Sequence, residues 1–160
     1  MSISDTPLDG DLLSNIRDCA QEAAGLLSIS LESPAEFIVE VLDLFAYQWQ
    51  KGDRPTVPGG MDLSLTLGSL WGEQLVRELG WQWSSVTNSE TGTKMVGVVS
   101  VDRSLVIYPF HSIYACTQLE APVNLLLSFN MLKSGSAIPT LPPQSYVNVT
   151  DSVRHVVPRG

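Results

Sequence analysis

The chain has 160 residues and a mass of 17.4 kDa, of which 44% are hydrophobic and 16% charged. That composition excludes a disordered chain and is long enough for one domain that hides roughly 68–70% of its unfolded surface. No apolar run reaches the ~20 residues of a membrane-spanning helix, and a net charge of −8 argues against binding to nucleic-acid phosphate.

The opening Met-Ser-Ile-Ser-Asp-Thr-Pro-Leu has neither a basic nor an apolar targeting region, so residues 1–8 are expected to be extended and the protein cytoplasmic. Leu12, Leu13, Ile16, Cys19, Ala20, Ala23 and Leu27 recur at helical steps and predict a helix over residues 9–28. Ser33-Pro34-Ala35-Glu36 offers an N-cap, a proline at the first helical position and a capping-box acid. A second helix is therefore expected over residues 34–50, with Phe37, Val41, Leu42, Phe45 and Trp49 as its buried stripe. Residues 52–60, rich in Gly and Pro, read as a loop.

Leu63, Leu67, Leu70, Trp71, Leu75 and Leu79 set a third helix that stops at Gly80, the residue suited to a left-handed C-cap. Gly68 and Gly72 lie one turn apart on it and predict close approach of another element. The period then changes to two. Trp81–Val86, Met95–Val101 and Leu105–Tyr108, separated by Asn-Ser-Glu-Thr-Gly-Thr and Asp-Arg-Ser turns, predict an antiparallel meander. His111–Leu119 and Pro122–Lys133 return as helical cover. Residues 135–160 read as loop-rich, with Tyr146–Val149 as a further edge strand. The expected fold is one α+β domain over residues 1–160: N-terminal helices on a three- or four-stranded antiparallel meander, with C-terminal helical cover.

Residue types for chemistry are sparse. Nucleophilic catalysis needs a base beside Ser or Cys. The two histidines are His111, at a helix start, and His155, in the tail. His111 and Cys116 are five apart and do not share a helical face, so Cys116 reads as a core thiol. Cys19 and Cys116 are far apart and outside any C-x-x-C pattern, which suits reduced core thiols better than a zinc site or disulfide scaffold. No cluster has metal-ligand spacing, and Gly59-Gly60 precedes no Gly-Lys-Ser/Thr. No metal, cofactor or catalytic residue is predicted. The closing Val-Pro-Arg-Gly resembles a protease-site remnant and carries no weight.

Charge is the informative feature. Residues 1–80 hold 13 acids and 4 bases, whereas residues 81–160 hold 4 acids and 5 bases. Glu32, Glu36, Glu40 and Asp43 follow at steps of four, four and three, which aligns them on one helical face. They are the expected surface for a basic protein partner. Glu73, set among large apolar residues on the third helix, is the other acid of interest. It either pins the neighbouring hairpin or belongs to a pocket with Trp71, Trp81, Trp83 and Tyr108.

The segment Leu67-Gly68-Ser69-Leu70-Trp71-Gly72-Glu73-Gln74-Leu75-Val76-Arg77-Glu78-Leu79-Gly80-Trp81-Gln82-Trp83 resembles a signature of small bacterial domains of uncharacterised function. In these a Gly-Glu helix runs into a Gly-Trp-x-Trp strand, and a meander ends at a Pro-Phe corner, here Pro109-Phe110. Such domains are similar to immunity proteins encoded beside secreted toxins, and the resemblance spans residues 60–115. It implies no catalytic residues. Three functions stay open at this point: an immunity protein binding a basic toxin, a small enzyme or ligand-binding domain using the Glu73 pocket, and a structural or adaptor protein that forms a homodimer or larger homo-oligomer.

Overall fold

The computed structural model describes residues 2–135 and 140–150. A short strand β1 (Ile3–Pro7) leads into helices α1 (Gly10–Leu27), α2 (Ala35–Gln50) and α3 (Leu63–Leu79). Strands β2 (Gln82–Asn88), β3 (Thr93–Val99) and β4 (Leu105–Ile107) follow, then α4 (Pro109–Gln118), α5 (Leu125–Ser134) and β5 (Val147–Asn148).

The α+β architecture and both helical layers are as the sequence predicts. The sheet is larger than the predicted meander and is mixed, in the order β1-β2-β3-β4-β5. The first four strands pair antiparallel and β5 runs parallel to β4. β1 was expected only as an extended lead. It pairs along its whole length, from Ile3 opposite Asn88 to Pro7 opposite Ser84, and the edge position tolerates Pro7, which has no N–H to donate.

Local signals explain the helix ends. Asp9 accepts the Leu12 N–H at 2.9 Å to cap α1, and Asp62 accepts the Leu65 N–H at 3.2 Å to cap α3. Gly80 takes the left-handed conformation that closes α3 (φ 71°). The predicted capping box on α2 does not form: Pro34 is the capping residue and no side chain bonds there. That turn is instead held from α3, where Arg77 donates to the carbonyls of Leu31 (2.8 Å) and Ser33 (2.6 Å).

One buried cluster draws on every helix and on β2, β3 and β4, with Trp71, Phe129, Ile38, Leu42, Leu70, Val98 and Ile107 at its centre. Gly68 and Gly72 do what their spacing predicts. A Cβ on Gly68 would lie 2.7 Å from Phe110 Cδ1 and 2.9 Å from Phe110 Cα, and one on Gly72 would overlap the Trp83 ring. The start of α4 and the indole of β2 therefore rest directly on α3. On the opposite face of the sheet a smaller cluster joins Val86, Val99, Val106 and Tyr146, with Ile3 and Tyr108 against it.

Beside that smaller cluster the Asp5 carboxylate accepts from Tyr146 Oη at 2.6 Å and from Arg103 Nε at 3.2 Å. Burial pushes the Asp5 carboxyl up, but the Tyr146 and Arg103 hydrogen bonds outweigh it and the net shift is downward. Burial, reinforced by the bond to Asp5, pushes the Tyr146 hydroxyl up to about 12. The network ties β1 to the turn before β4 and to the C-terminal strand, three segments distant in sequence. Among the described residues no helix is long and apolar enough to cross a membrane.

Candidate functional site

Two surfaces gather the residues singled out above. The first is the outer side of α2. Its buried side is formed by Ala35, Ile38, Val39, Leu42, Asp43, Phe45 and Ala46, so the helix is rotated from the predicted stripe. Phe37, expected inside, is 47% exposed, and Leu44 is 52% exposed. They are seven residues apart, two turns or about 10 Å along one side of the helix, with the exposed Glu40 between them.

Asp43 is the correction this rotation imposes on the acidic row. It is 4% exposed and its Oδ1 accepts the Leu126 N–H at 3.1 Å. It therefore serves as the cap of α5 that Asn124, the local capping residue, does not provide, and does not face outward with Glu36 and Glu40. Glu32 is exposed in the α1–α2 connection, where its N–H donates to Ser30 Oγ. Glu36 and Glu78 both approach Lys133 Nζ at 3.8 Å, joining α2, α3 and α5.

The second surface is a cavity of about 160 Å³ between α1, α3 and the start of β2, lined by Glu73, Arg17, Trp81, Trp83, Leu13 and Val76 among others. Of the five residues expected in a pocket here, the structure brings three together: Glu73, Trp81 and Trp83. Trp71 lies in the core, edge-on to Phe129 at 6.3 Å between centroids. Tyr108 packs on the other face of the sheet, because the alternation along β4 turns it away from the helices.

Burial pushes the Glu73 carboxyl above the usual carboxylate range, against the opposing pull of the Arg17 charge and the Trp83 indole. Arg17 Nε stands 3.9 Å from Glu73 Oε1, and the Arg17 side chain is 73% exposed. Trp83 is 3% exposed, its ring stacked on Phe110 at 5.5 Å, and its Nε1 has no hydrogen-bond partner among the described residues. The indole N–H lies beside the Glu73 carboxyl and favours its charged form.

Another hollow, of about 550 Å³, runs between the end of α2, the loop before α3, and α4, along Trp49, Pro58, Met61 and Tyr114. Along it Trp49 Nε1 donates to the Thr117 carbonyl at 3.2 Å, Arg54 covers the Trp49 ring at 4.9 Å, and Asp62 caps α3.

Among the described residues, His111 and Cys116 lie in different surroundings. His111 is exposed, with its ring 6.4 Å from Tyr114, whereas Cys116 is buried with Sγ 3.9 Å from the Pro122 carbonyl. Burial, with the Glu22 charge beside it, pushes the Cys19 thiol up and so disfavours its thiolate. His155 and the closing Val-Pro-Arg-Gly lie outside the described residues.

The exposed apolar pair on α2 and the Arg17 side of the cavity are absent from the sequence reading. Seven apolar residues in nine positions, Phe37 to Phe45, conceal which arc of α2 faces inward. The helical period places Leu13 and Arg17 on one side of α1, but not against α3. No family model, no curated protein and no solved structure matches this chain.

Proposed function

We propose that this chain is a non-catalytic binding module that docks a basic protein partner on the outer side of α2, and that the partner is a bacterial toxin it neutralises in the producer's cytosol. The observation that carries the docking surface is the exposed Phe37–Glu40–Leu44 ridge, two large apolar side chains bracketing a carboxylate. Buried apolar anchors supply most interface affinity, while charge around them sets association rate and partner choice. Glu36 and Glu32 flank the ridge on a protein of net charge −8, which favours a basic partner with an apolar recess. The toxin identity rests on the resemblance of residues 67–83 to immunity-type domains.

Self-association through the same ridge is disfavoured, because a two-fold contact centred on the ridge brings the Glu40 carboxylates of the two copies together. The test is binding to the product of the adjacent reading frame, with neutralisation of its toxicity in cells. Phe37→Ala/Leu44→Ala should weaken binding by about 10²–10³-fold, mostly through faster dissociation. Glu40→Lys should slow association and flatten its salt dependence. A neighbour that binds both variants as tightly as the original chain, or growth that the chain does not protect, overturns the proposal.

A further inference from the structure

The hollow of about 550 Å³ beside α4 falls within the ordinary size of a small-molecule site, about 300–1,000 Å³. Pro58, Met61 and Leu63 give it apolar walls, and Trp49 and Tyr114 contribute aromatic rings. Its hydrophilic lining residues are Asp62, Ser64 and Gln118, and among the described residues no Lys, Arg or His lines it. The charge that a ligand meets inside is therefore the Asp62 carboxylate. The α3 cap engages one of its oxygens, Oδ1, with the Leu65 N–H at 3.2 Å, and Asp62 is exposed, so the group is open to a second partner.

Two further observations give the sign of that partner. Besides its burial, the Cys19 thiol feels the charges of Glu22, Asp18 and Asp62, which puts two carboxylates of α1 on the Asp62 side of the hollow. Beside Trp49 an internal cation is already held: Arg54 donates through Nε to the Trp49 carbonyl at 3.1 Å, and its guanidinium lies 4.9 Å from the ring centre. A carboxylate or phosphate would face Asp62 with no base in the lining to offset it. A neutral apolar ligand would strip water from the Asp62 carboxylate and put nothing in its place, which is costly. An ammonium on an apolar body pairs its charge with Asp62, while the body covers Met61, Pro58 and the rings, whose faces also attract cations.

We infer that this hollow binds an amphipathic organic cation, an ammonium joined to a ring or short alkyl body, with Asp62 holding the charge and Tyr114 and Met61 covering the body. The site is distinct from the Phe37–Glu40–Leu44 ridge and stands whether or not that surface docks a toxin.

The test is a titration of the intact protein at neutral pH with phenylpropylamine, read from the indole N–H resonance of Trp49 in nitrogen-15 spectra. Phenylpropanol and phenylpropanoate carry the same body with a neutral and an anionic head. The Trp49 resonance should move saturably with the amine, at a midpoint on the order of 1 mM. The alcohol should bind about three- to fivefold more weakly, the size of an exposed ion pair, and the carboxylate at least about tenfold more weakly. Asp62→Asn keeps an oxygen for the Leu65 N–H and removes the charge, so it should abolish the advantage of the amine over the alcohol. Tyr114→Ala trims a side chain that is 45% exposed and should weaken the amine about tenfold. An unchanged Trp71 resonance shows that a variant is folded. A linear, non-saturating shift, meaning an adventitious additive only, overturns the inference. So does alcohol or carboxylate binding as tight as that of the amine, an amine preference that survives Asp62→Asn, or, should that variant not fold, amine binding that Tyr114→Ala leaves intact.

Discussion

Gly72→Ala is the sharpest test of the contact between α3 and β2. Replacing an interior helical glycine by alanine normally stabilises by about 1 kcal/mol. Here the new methyl would overlap two ring carbons of Trp83 and lie 3.0 Å from Pro109 Cγ. The indole cannot swing aside, because its other neighbour is the Phe110 ring, stacked at 5.5 Å with 21° between planes. Overpacking of this kind costs about 1–3 kcal/mol, and a pinned ring belongs at the upper end. Against the propensity gain, the net effect is a loss of about 2 kcal/mol, or ~4–8 °C in Tm for a chain of this size. Gly25 in α1 is the internal control, since nothing lies within 4 Å of a Cβ there. Gly25→Ala should gain up to about 1 kcal/mol. Urea unfolding followed by tryptophan fluorescence measures both. If Gly72→Ala matches or exceeds the parent in stability, the close packing of Trp83 on α3 is refuted.

Other consequences are open to simpler measurements. Asp43→Ala removes the acceptor for the Leu126 N–H and should cost about 1–2 kcal/mol in denaturant unfolding. Asp43→Asn keeps an acceptor oxygen and should recover most of that loss; equal losses would show that the cap is not the reason Asp43 is buried. The raised Glu73 carboxyl favours folding while both states are protonated, below the ordinary value of about 4.3, and that contribution fades as pH rises through the folded-state value. Glu73→Gln should therefore raise Tm at pH 7 and give no advantage near pH 4, and a pH-independent difference between the two proteins would contradict this sign. Asp5 has the reverse sign. Its lowered carboxyl contributes stability above the ordinary value of about 3.9 that is lost as pH falls through the folded-state value, so Asp5→Asn should be destabilised at pH 7 by about 1–3 kcal/mol and lose less than the parent in acid.

The legible parts of the fold are those where one residue type has one physical use. Gly80 ends α3 because the αL conformation costs glycine nothing, and the Gly68–Gly72 step announces close packing because nothing larger fits. The change from period four to period two at Trp81 is equally plain in the structure. What escaped the reading has several competing uses. Ser33 and Glu36 match a capping box, yet the α2 turn is held by Arg77, 44 residues from Ser33. Ile3 to Pro7 reads Ile-Ser-Asp-Thr-Pro, with no apolar alternation to mark a strand, and its pairing depends on β2, from Ile3 opposite Asn88 to Pro7 opposite Ser84. Asp43 obeys the same helical arithmetic as Glu36 and Glu40; only the rotation of α2, set by α5, turns it inward. The cavity was half visible, since Glu73, Trp81 and Trp83 are neighbours in sequence, while Trp71 and Tyr108 were assigned to it by residue type and not by facing.

The structure also changes what the acidic half of the chain means. Several of its carboxylates have internal tasks: Asp9, Asp62 and Asp43 cap helices, Asp5 holds the C-terminal strand, and Glu36 and Glu78 share Lys133. A net charge therefore overstates the field at any one surface, and screening within about 8 Å at physiological salt reduces it further. A single carboxylate about 10 Å from a partner's cation contributes about 0.4 kcal/mol in water, roughly a factor of two. Charge of that size steers an encounter but does not hold a complex together. If α2 is the docking face, its affinity has to come from Phe37 and Leu44, each of which leaves about half its surface in water, and the acids around them decide which partners arrive.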